Sequence, residues 1–414
     1  MQKKQIPVSP RGLVRVQNYT FYTENRTMCN LFLIFVPMNE QIRIGLDAKR
    51  IVRNQTGLGN YGRTLVNDLS AYQDLDIILY APDEGRDDLL EQVIPRDNIQ
   101  LFFPNKRSAL AKALWRSHGI VNQLRQDHVQ VYHGLSGELP FHIRKSGVKT
   151  VVTIHDLIFL RHPEYYNLAD TIIYRWKFLQ AIREADRIIA ISQCTRRDIC
   201  EYGNIDESRV DVIYQSCAPK FQDDIPAAKM RRVKDHYRLP DHFMLSVGSI
   251  EERKNMLLAV RALPHLPSDV SLVLVGRKTP YTDKIQRFID ENRLNERVFI
   301  FHGVPNEDLP VFYKLAKCFI YPSRYEGFGI PIIEAIHAGI PVIAAKGSCL
   351  EEAGGSDSVY VSPDNPEAMA HAARQLMDEG MRSSRMEKAR EYVKRFENTN
   401  VASQVYDIYR ELSR

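Results

Sequence analysis

The sequence has little of what stabilises a small disulfide-rich or zinc-dependent fold. Its 414 residues include only six cysteines, and none of them forms a C-x-x-C pair or a zinc-type spacing. These cysteines are Cys29, Cys194, Cys200, Cys217, Cys318 and Cys349. Scattered thiols without a framework are typical of a reducing compartment, so we expect a cytoplasmic protein.

Long apolar runs are also scarce. The stretch MCNLFLIFVPM at 28–38 is too short to cross a bilayer, which takes about 20 residues. No small-residue cleavage site follows it before the strand-like IRIGLD. We therefore expect the folded core to begin near Met38, with residues 1–37 as an N-terminal tail outside the core fold.

An excess of either charge sign is nearly absent. The chain has 56 Lys and Arg against 51 Asp and Glu, a net charge of +5. This balance is too weak to indicate nucleic-acid binding, but it suits anionic small molecules or an anionic membrane surface. We expect no nucleic-acid partner, and a cytoplasmic location that includes peripheral contact with the inner membrane face.

What the sequence does contain is a regular alternation of short β-branched runs with amphipathic stretches. The runs are IRIGLD, DIILYAP, VQVYHG, VKTVVTIHDL, RIIAISQ and DVIYQS, and then HFMLSVGS, SLVLVGR, VFIFHG, CFIYPS, PVIAA and SVYVSP. This pattern predicts an α/β fold with two doubly wound domains, at 38–220 and 241–395. A final helix at 396–414 is expected to return to the first domain. Ligands of such sheets bind at the carboxyl ends of the strands, so a cleft between the domains is the expected site.

A glycine-rich stretch follows the first of these strands. Gly57, Gly59 and Gly62 spell G-x-G-x-x-G, and Asp83 lies near the spacing of a dinucleotide fingerprint. However, nine residues separate Asp47 from Gly57, whereas a dinucleotide loop follows its strand at once. A basic, glycine-bearing loop that opens a helix suits other anions as well. A dinucleotide-dependent oxidoreductase and a flexible surface turn remain alternatives.

Two motifs in the second half indicate a diphosphate ligand. In SVGSIEERKNM, Arg253 and Lys254 are predicted to open a helix, where cations oppose the helix dipole and are retained for an anionic ligand. A solvated basic pair is the alternative. In PSRYEGFGIPIIEA, a glycine-rich helix start offers free N–H groups to phosphate. Glu326 and Glu334 flank it, and carboxylates accept hydrogen bonds from the hydroxyls of a vicinal diol.

The chain resembles the retaining GT-B glycosyltransferases of family 4, in particular mannosyltransferases of bacterial O-antigen and capsule assembly. The resemblance rests on TGLGNYGRTL, VVTIHDLIFLRHPEYY, ADRIIAISQCTRRDI, LSVGSIEERKNMLLAV, LVLVGRK, GIPVIAA and the long run FHGVPNEDLPVFYKLAKCFIYPSRYEGFGIPIIEA. It implies two Rossmann-like domains that face each other across a cleft, with the acceptor on the first and a nucleotide sugar on the second.

The resemblance also implies roles for single residues. Glu326 would contact the donor sugar, Glu334 the ribose, and Arg253 with Lys254 the diphosphate. His155 in TIHDL would lie beside the donor sugar. Further donor-binding positions are Gly57, Gly59, Gly248, Arg277, Gly327, Phe328, Gly329 and Ile330.

Two positions depart from the family pattern. Ser249 stands where an arginine often follows VG, and YQS at 214–216 replaces a PNG turn.

The implied reaction is transfer of a hexose to a glycan or lipid-linked saccharide with retention, by front-face attack. The favoured donor is GDP-mannose, while UDP-glucose, UDP-N-acetylglucosamine and a rhamnose donor stay open. Neither a cofactor nor a metal is expected, because Asp74-Leu75-Asp76 lies far from the donor motifs. A non-catalytic sugar-nucleotide binder is a further alternative. The basic stretches 105–119 and 231–238 are candidates for contact with anionic lipid.

Overall fold

Two mainly parallel sheets flanked by helices organise the chain. The computed structural model describes residues 2–5, 41–105, 108–377 and 379–414. The strands of the first sheet are β1 (Gln2–Gln5), β2 (Ile42–Asp47), β3 (Leu75–Tyr80), β4 (Ile99–Phe103), β5 (Val131–Gly134), β6 (Lys149–Ile154), β7 (Arg187–Ala190) and β8 (Val210–Val212). Their order is β1-β4-β3-β2-β5-β6-β7-β8, and β1 alone among these described strands runs antiparallel to its neighbour.

The second sheet is parallel throughout its described strands. These are β9 (Phe243–Val247), β10 (Ser271–Val275), β11 (Val298–Phe301), β12 (Cys318–Tyr321), β13 (Val342–Ala345) and β14 (Val359–Val361), in the order β11-β10-β9-β12-β13-β14. Such strands are buried on both faces and therefore read as continuous apolar runs, as Ser271–Val275 does. The α/β fold with two doubly wound domains is confirmed.

Helices cover both faces of the sheets. In the first half they are α1 (Lys49–Arg53), α2 (Gly57–Leu69), α3 (Asp87–Leu90), α4 (Ala109–Leu114), α5 (Ile120–Gln126), α6 (Ile158–Arg161), α7 (Leu168–Glu184) and α8 (Gln193–Gly203). The second half has α9 (Ala227–Tyr237), α10 (Met256–Ala262), α11 (Pro280–Glu291), α12 (Leu309–Leu315), α13 (Ile330–Ala338), α14 (Leu350–Gly354), α15 (Pro366–Met377), α16 (Glu379–Val393) and α17 (Asn398–Ser413). None of the helices in the described part of the chain has the length and apolar character of a membrane span.

The order of strands fixes where ligands can bind. Both sheets follow the doubly wound pattern: the chain adds three strands in one direction, β2 to β4 and β9 to β11, and then returns to the other side of the first of them. The two switch points lie between β2 and β5, and between β9 and β12. Loops that leave the carboxyl ends of these strand pairs diverge and open a crevice. The glycine stretch follows β2, the motif that contains Arg253 and Lys254 follows β9, and the motif that contains Glu326 follows β12.

The two chain ends both pack on the first sheet. Tyr409 of α17 is fully buried in the first domain's core, and its hydroxyl lies 2.6 Å from Nδ1 of His133. Residues Gln2–Gln5, which the sequence places in a tail outside the core fold, pair with the edge strand β4 and so join this sheet. The rest of that predicted tail, with Met38, lies outside the described residues.

Candidate active site

The second switch point brings the two donor motifs together. Gly248 follows β9 with φ of 149°, a conformation that favours glycine. The prediction that Arg253 and Lys254 open a helix is wrong. They lie in a 3₁₀ turn, and α10 starts two residues after Lys254. Asn255 is left-handed at that junction and its side-chain amide donates to the carbonyl of Pro322, which ties the turn to the loop after β12.

Glu326 is the centre of this arrangement. Its Oε1 accepts from Nζ of Lys254 at 2.5 Å and from the Ser323 hydroxyl at 2.5 Å. Its Oε2 lies 3.0 Å from Nη1 of Arg253. Lys254 also donates to the Tyr321 hydroxyl at 2.8 Å. Residues 72 or more positions apart in the chain thus form one charged cluster.

Ion pairing decides the charge state of the cluster. Glu326 is only 8% exposed, and burial alone would raise its pKa, but Lys254 and Arg253 outweigh burial and lower the pKa to about 2. Burial lowers the pKa of Arg253, whereas Glu326 and Glu251 raise it, with a net rise. The carboxylate therefore stays ionised between two cations. Glu251, 2.8 Å from Nη2 of Arg253, adds a second carboxylate, so both cations that could bind an anion are already paired.

Unpaired backbone amides lie beside these charges. Gly329 has φ of 115° and caps α13, which has nine residues with Pro331 in its first turn. The N–H groups of Gly327, Phe328 and Gly329 have no acceptor among the described residues. The Phe328 ring instead stacks on Tyr214 at 5.3 Å, so Phe328 presents its amide and not its side chain. Ile330 is the first residue of α13.

Glu334 lies one turn into α13, and its contacts differ from those of Glu326. Its Oε2 accepts from the Tyr313 hydroxyl at 2.8 Å. Burial raises the pKa of Glu334 to about 7, although Tyr313 and Lys220 oppose the rise. This carboxyl group is therefore protonated in part at neutral pH and can both donate and accept a hydrogen bond.

His155 approaches the cluster from the first domain. Its Nε2 lies 2.8 Å from the carbonyl oxygen of Leu135, an acceptor, so Nε2 carries the proton. Nδ1 then accepts from the side-chain amide of Gln215 at 2.7 Å. Burial lowers the pKa of His155 to about 4, so the ring is neutral. Gln215 lies in the YQS segment at 214–216, where the sequence departs from the family pattern, and it was not among the predicted site residues.

The loops of the two domains touch at this point. A Cβ at Gly327 would lie 2.1 Å from the carbonyl oxygen of His155, so only glycine allows this approach. The Ser192 hydroxyl donates to the Gly327 carbonyl at 2.6 Å. Asp156, next to His155, is a further carboxyl group that the sequence analysis missed; burial raises its pKa, and the charges of Arg253 and Glu326 act on it.

A second contact between the domains uses a helix N-terminus. The carboxylate of Glu352 accepts from the N–H groups of Gln193 at 2.6 Å and Cys194 at 2.8 Å, the first residues of α8. The Tyr325 hydroxyl donates to Asp198 of the same helix at 2.6 Å. The spacing of these residues in the chain carries no signal of either contact, since each pairs residues more than 120 positions apart.

The glycine stretch differs from a dinucleotide loop. The helix α1 intervenes between β2 and Gly57, and Gly57 and Gly59 belong to the first turn of α2. A Cβ at Gly59 would meet the carbonyl oxygen of Asn54 at 1.8 Å, and one at Gly62 would meet Ile51 at 2.7 Å. Gly62 thus packs α2 on α1, and the dinucleotide interpretation loses its geometric basis.

The remaining predicted positions flank the cluster or lie away from it. The side chain of Arg277 is exposed after β10, and its carbonyl accepts from the N–H of Ile250 in the loop after Gly248. Asp76 pairs with Arg43 at 2.6 Å, and Asp74 accepts from the Tyr406 hydroxyl. Both carboxylates of the D-x-D triplet therefore have structural partners.

The first switch point opens into a cavity of about 590 Å³. Asp47, at the end of β2, pairs there with Arg116 at 2.5 Å, and Glu138 pairs with Lys177 at 3.0 Å. Arg116 lies in a π-helical turn, Trp115–Gly119, that joins α4 to α5. Such turns often occur at functional sites. Trp176 of α7 also lines the cavity.

Comparison with known proteins assigns both halves of the chain. Residues 56–217 match the model of Glycosyltransferase Family 4, and residues 231–395 match that of Glycosyl transferases group 1. The chain is 26% identical over 372 residues to O-antigen chain mannosyltransferase B of Escherichia coli, covering 86% of this chain and 96% of the relative.

A further relative and a solved structure extend the comparison, the structure for the fold alone. The serotype-specific mannosyltransferase WbdA of Escherichia coli is 34% identical over 225 residues, which are 52% of this chain and 27% of that longer protein. A sucrose-phosphate synthase structure from Thermosynechococcus elongatus superposes with a TM-score of 0.70 at 21% identity, over 90% of this chain and 99% of that one. The chain therefore belongs to the family 4 glycosyltransferases with a group 1 carboxyl-terminal domain, and is an enzyme of the GT-B fold.

Proposed function

We propose that this enzyme transfers mannose from GDP-mannose to a glycan or lipid-linked saccharide of a cell-surface polysaccharide. The observation that carries the donor site is the cluster of Glu326, Arg253 and Lys254 beside the free amides of 327–329. Mannose is favoured because this chain is similar over most of its length to an O-antigen mannosyltransferase.

The cluster suits a departing diphosphate. Negative charge grows on the leaving group as the glycosidic bond breaks, and preorganised cations and N–H groups stabilise that charge. Lys254 and Arg253 supply the cations, and the 327–329 amides supply donors. Glu326 holds both cations in place and has lone pairs left for sugar hydroxyls.

These groups perform the task that a metal ion has in other transferases. We propose a metal-independent reaction with retention, in which the leaving phosphate takes the proton of the attacking hydroxyl. His155 is neutral and lies at the cleft, with its Nε2–H bonded to the Leu135 carbonyl. The edge of its imidazole ring orients the donor sugar. Glu334 binds the ribose hydroxyls, since its partly protonated carboxyl group can donate and accept.

The cavity of the first domain is the proposed acceptor site. It opens at the carboxyl ends of β2 and β5, the side on which Gly57 and Gly59 start α2. Carboxylates of Asp47 and Glu138 accept from sugar hydroxyls, and Trp176 offers a ring for stacking. The acceptor hydroxyl then faces the donor across the cleft.

A panel of nucleotide sugars tests the donor. We expect thermal stabilisation by GDP above that by UDP, and transfer or slow hydrolysis with GDP-mannose that persists in EDTA. Stabilisation by UDP alone would contradict the choice of donor, and strict dependence on Mg²⁺ would contradict the metal-independent mechanism. Stabilisation by NADH alone would contradict the transferase site.

A further inference from the structure

Exposed apolar side chains concentrate on two helices of the first domain. Of the eight large apolar side chains that are most exposed among the described residues, seven belong to α4 or α7. We name them the α4–α7 surface: Leu110, Leu114, Leu168, Ile172, Ile173, Tyr174 and Trp176. The eighth, Ile94, follows α3.

The amino-terminal half of α7 protrudes from the domain. The five consecutive residues 172–176 are all exposed, although they point in all directions around a helix. Buried residues of α7 begin only at Phe178. A helix of a globular domain normally exposes a polar face, so an uncovered apolar segment of this kind indicates a binding surface.

The two helices are parts of one surface because they share the acceptor cavity. Leu110 and Leu114 of α4 and Trp176 of α7 line it. Phe141 lies between them, with its ring 5.1 Å from that of Trp176. Leu110, Leu114 and Trp176 therefore form an apolar rim of the cavity in which we place the acceptor, and the other exposed residues continue from Trp176 along α7.

Cations accompany this rim. Five basic residues line the cavity, namely Lys49, Arg53, Lys112, Arg116 and Lys177. Arg53 and Lys112 pair with Asp83, while Arg116 and Lys177 pair with the lining carboxylates of Asp47 and Glu138. Arg175 is exposed within the protruding segment and has no ion-pair partner among the described residues. Lys49 likewise has no ion-pair partner in the described part of the chain.

We infer that the α4–α7 surface docks on an anionic lipid bilayer, so that the cavity opens at the membrane and takes its acceptor from it. Apolar side chains enter the boundary between headgroups and acyl chains, Trp and Tyr are favoured there, and cations bind the headgroups. A second copy of the chain fits less well, because a two-fold interface would place the same cationic patch on both partners. The choice of a lipid-linked acceptor rests on the proposed function, whereas membrane docking does not.

Vesicle sedimentation tests the surface with the full chain. The triple variant Leu168→Ser, Ile172→Ser, Ile173→Ser removes apolar side chains that do not line the cavity, and Ile94→Ser is the matched control. We expect binding to phosphatidylglycerol-containing vesicles, a loss of about tenfold or more in the triple variant, and no change in the control. Arg175→Glu weakens binding to these vesicles, and added salt weakens it further.

Activity measurements separate this inference from the proposed function. The triple variant is expected to retain its unfolding temperature and its transfer to a water-soluble acceptor, and to lose transfer to an acceptor embedded in vesicles. Equal vesicle binding by the triple variant and the unsubstituted chain would overturn the inference. So would a dimer, seen by light scattering, that the triple variant abolishes without any vesicle binding. Vesicle binding without transfer from any nucleotide sugar would refute the proposed function and leave membrane docking standing.

Discussion

Gly327→Ala adds one methyl group at the point where the two domains meet. That Cβ would lie 2.1 Å from the carbonyl oxygen of His155, whereas real Cβ contacts are not closer than 3.0 Å. The two loops must therefore separate by at least the difference, 3.0 − 2.1 = 0.9 Å. The contacted atom is a backbone oxygen and the position of a Cβ is fixed by its own backbone, so neither group can rotate away. A misplacement of about 1 Å in a reactive geometry costs on the order of 100-fold in rate.

We expect kcat/KM of Gly327→Ala to fall by about 100-fold, since the donor cluster and His155 can no longer close on one substrate. The unfolding temperature should change little, because the clash lies between domains and an open cleft relieves it. Steady-state kinetics, thermal unfolding and small-angle scattering, which reports the opening, measure these three effects.

Gly57→Ala is the matched control. A Cβ there has no neighbour within 4 Å, and alanine favours a helix start over glycine. This variant should keep the closed shape and the unfolding temperature. Activity of Gly327→Ala within twofold of the unsubstituted enzyme would refute the reasoning, because it would mean that the closed contact is not the reactive one.

Three other substitutions probe single groups of the site. Glu326→Gln leaves Lys254 without its carboxylate partner, so we expect kcat to fall by about 100-fold. The low pKa of Glu326 contributes stability that is present above pH 4.5 and is lost as the pH falls towards 2. Acid unfolding of the variant should therefore lack this loss of stability. Gln215→Ala removes the donor to Nδ1 of His155, and a lost hydrogen bond of this kind corresponds to about tenfold in kcat with little change in donor KM; an altered KM at unchanged kcat would contradict the positioning role. The pKa of Glu334, raised to about 7, means that the folded state binds the extra proton, so the free energy of unfolding should fall as the pH rises from 4.5 to 7. Glu334→Gln should flatten this dependence in urea titrations at pH 5 and pH 8, and parallel curves for both proteins would exclude the assignment.

Much of the fold could be predicted because its signals are local. Strands buried on both faces are short apolar runs, and the predicted runs at 42–47, 271–277 and 318–323 coincide with β2, β10 and β12 within two residues. The strand β4 was missed, because its five residues follow a polar turn and form an edge with which only the distant segment Gln2–Gln5 pairs.

The candidate site was predictable where one motif carries its own chemistry. Glycine, a helix start and acidic residues are adjacent in 322–335, so the loop could be singled out without a structure, and its role in donor binding stays a prediction. The prediction that Arg253 and Lys254 open a helix was wrong, because Asn255 adopts a left-handed conformation and α10 begins only after it. That conformation depends on the hydrogen bonds of its side chain to the loops after β12 and β14, which a local pattern does not contain.

By itself, the sequence determined the class of the protein: two doubly wound domains, with a glycine-rich loop and a pair of cations that are predicted to bind diphosphate, all written in short segments. Only the tertiary structure decided which groups meet. It paired Glu326 with both cations, placed Gln215 on His155, and set Glu352 on the first turn of α8. It also left apolar residues of α4 and α7 exposed, three of them at one cavity. The physical reason is that hydrophobic periodicity is read along the chain, whereas charge pairing, close approach and exposure depend on distances between segments that only folding brings together.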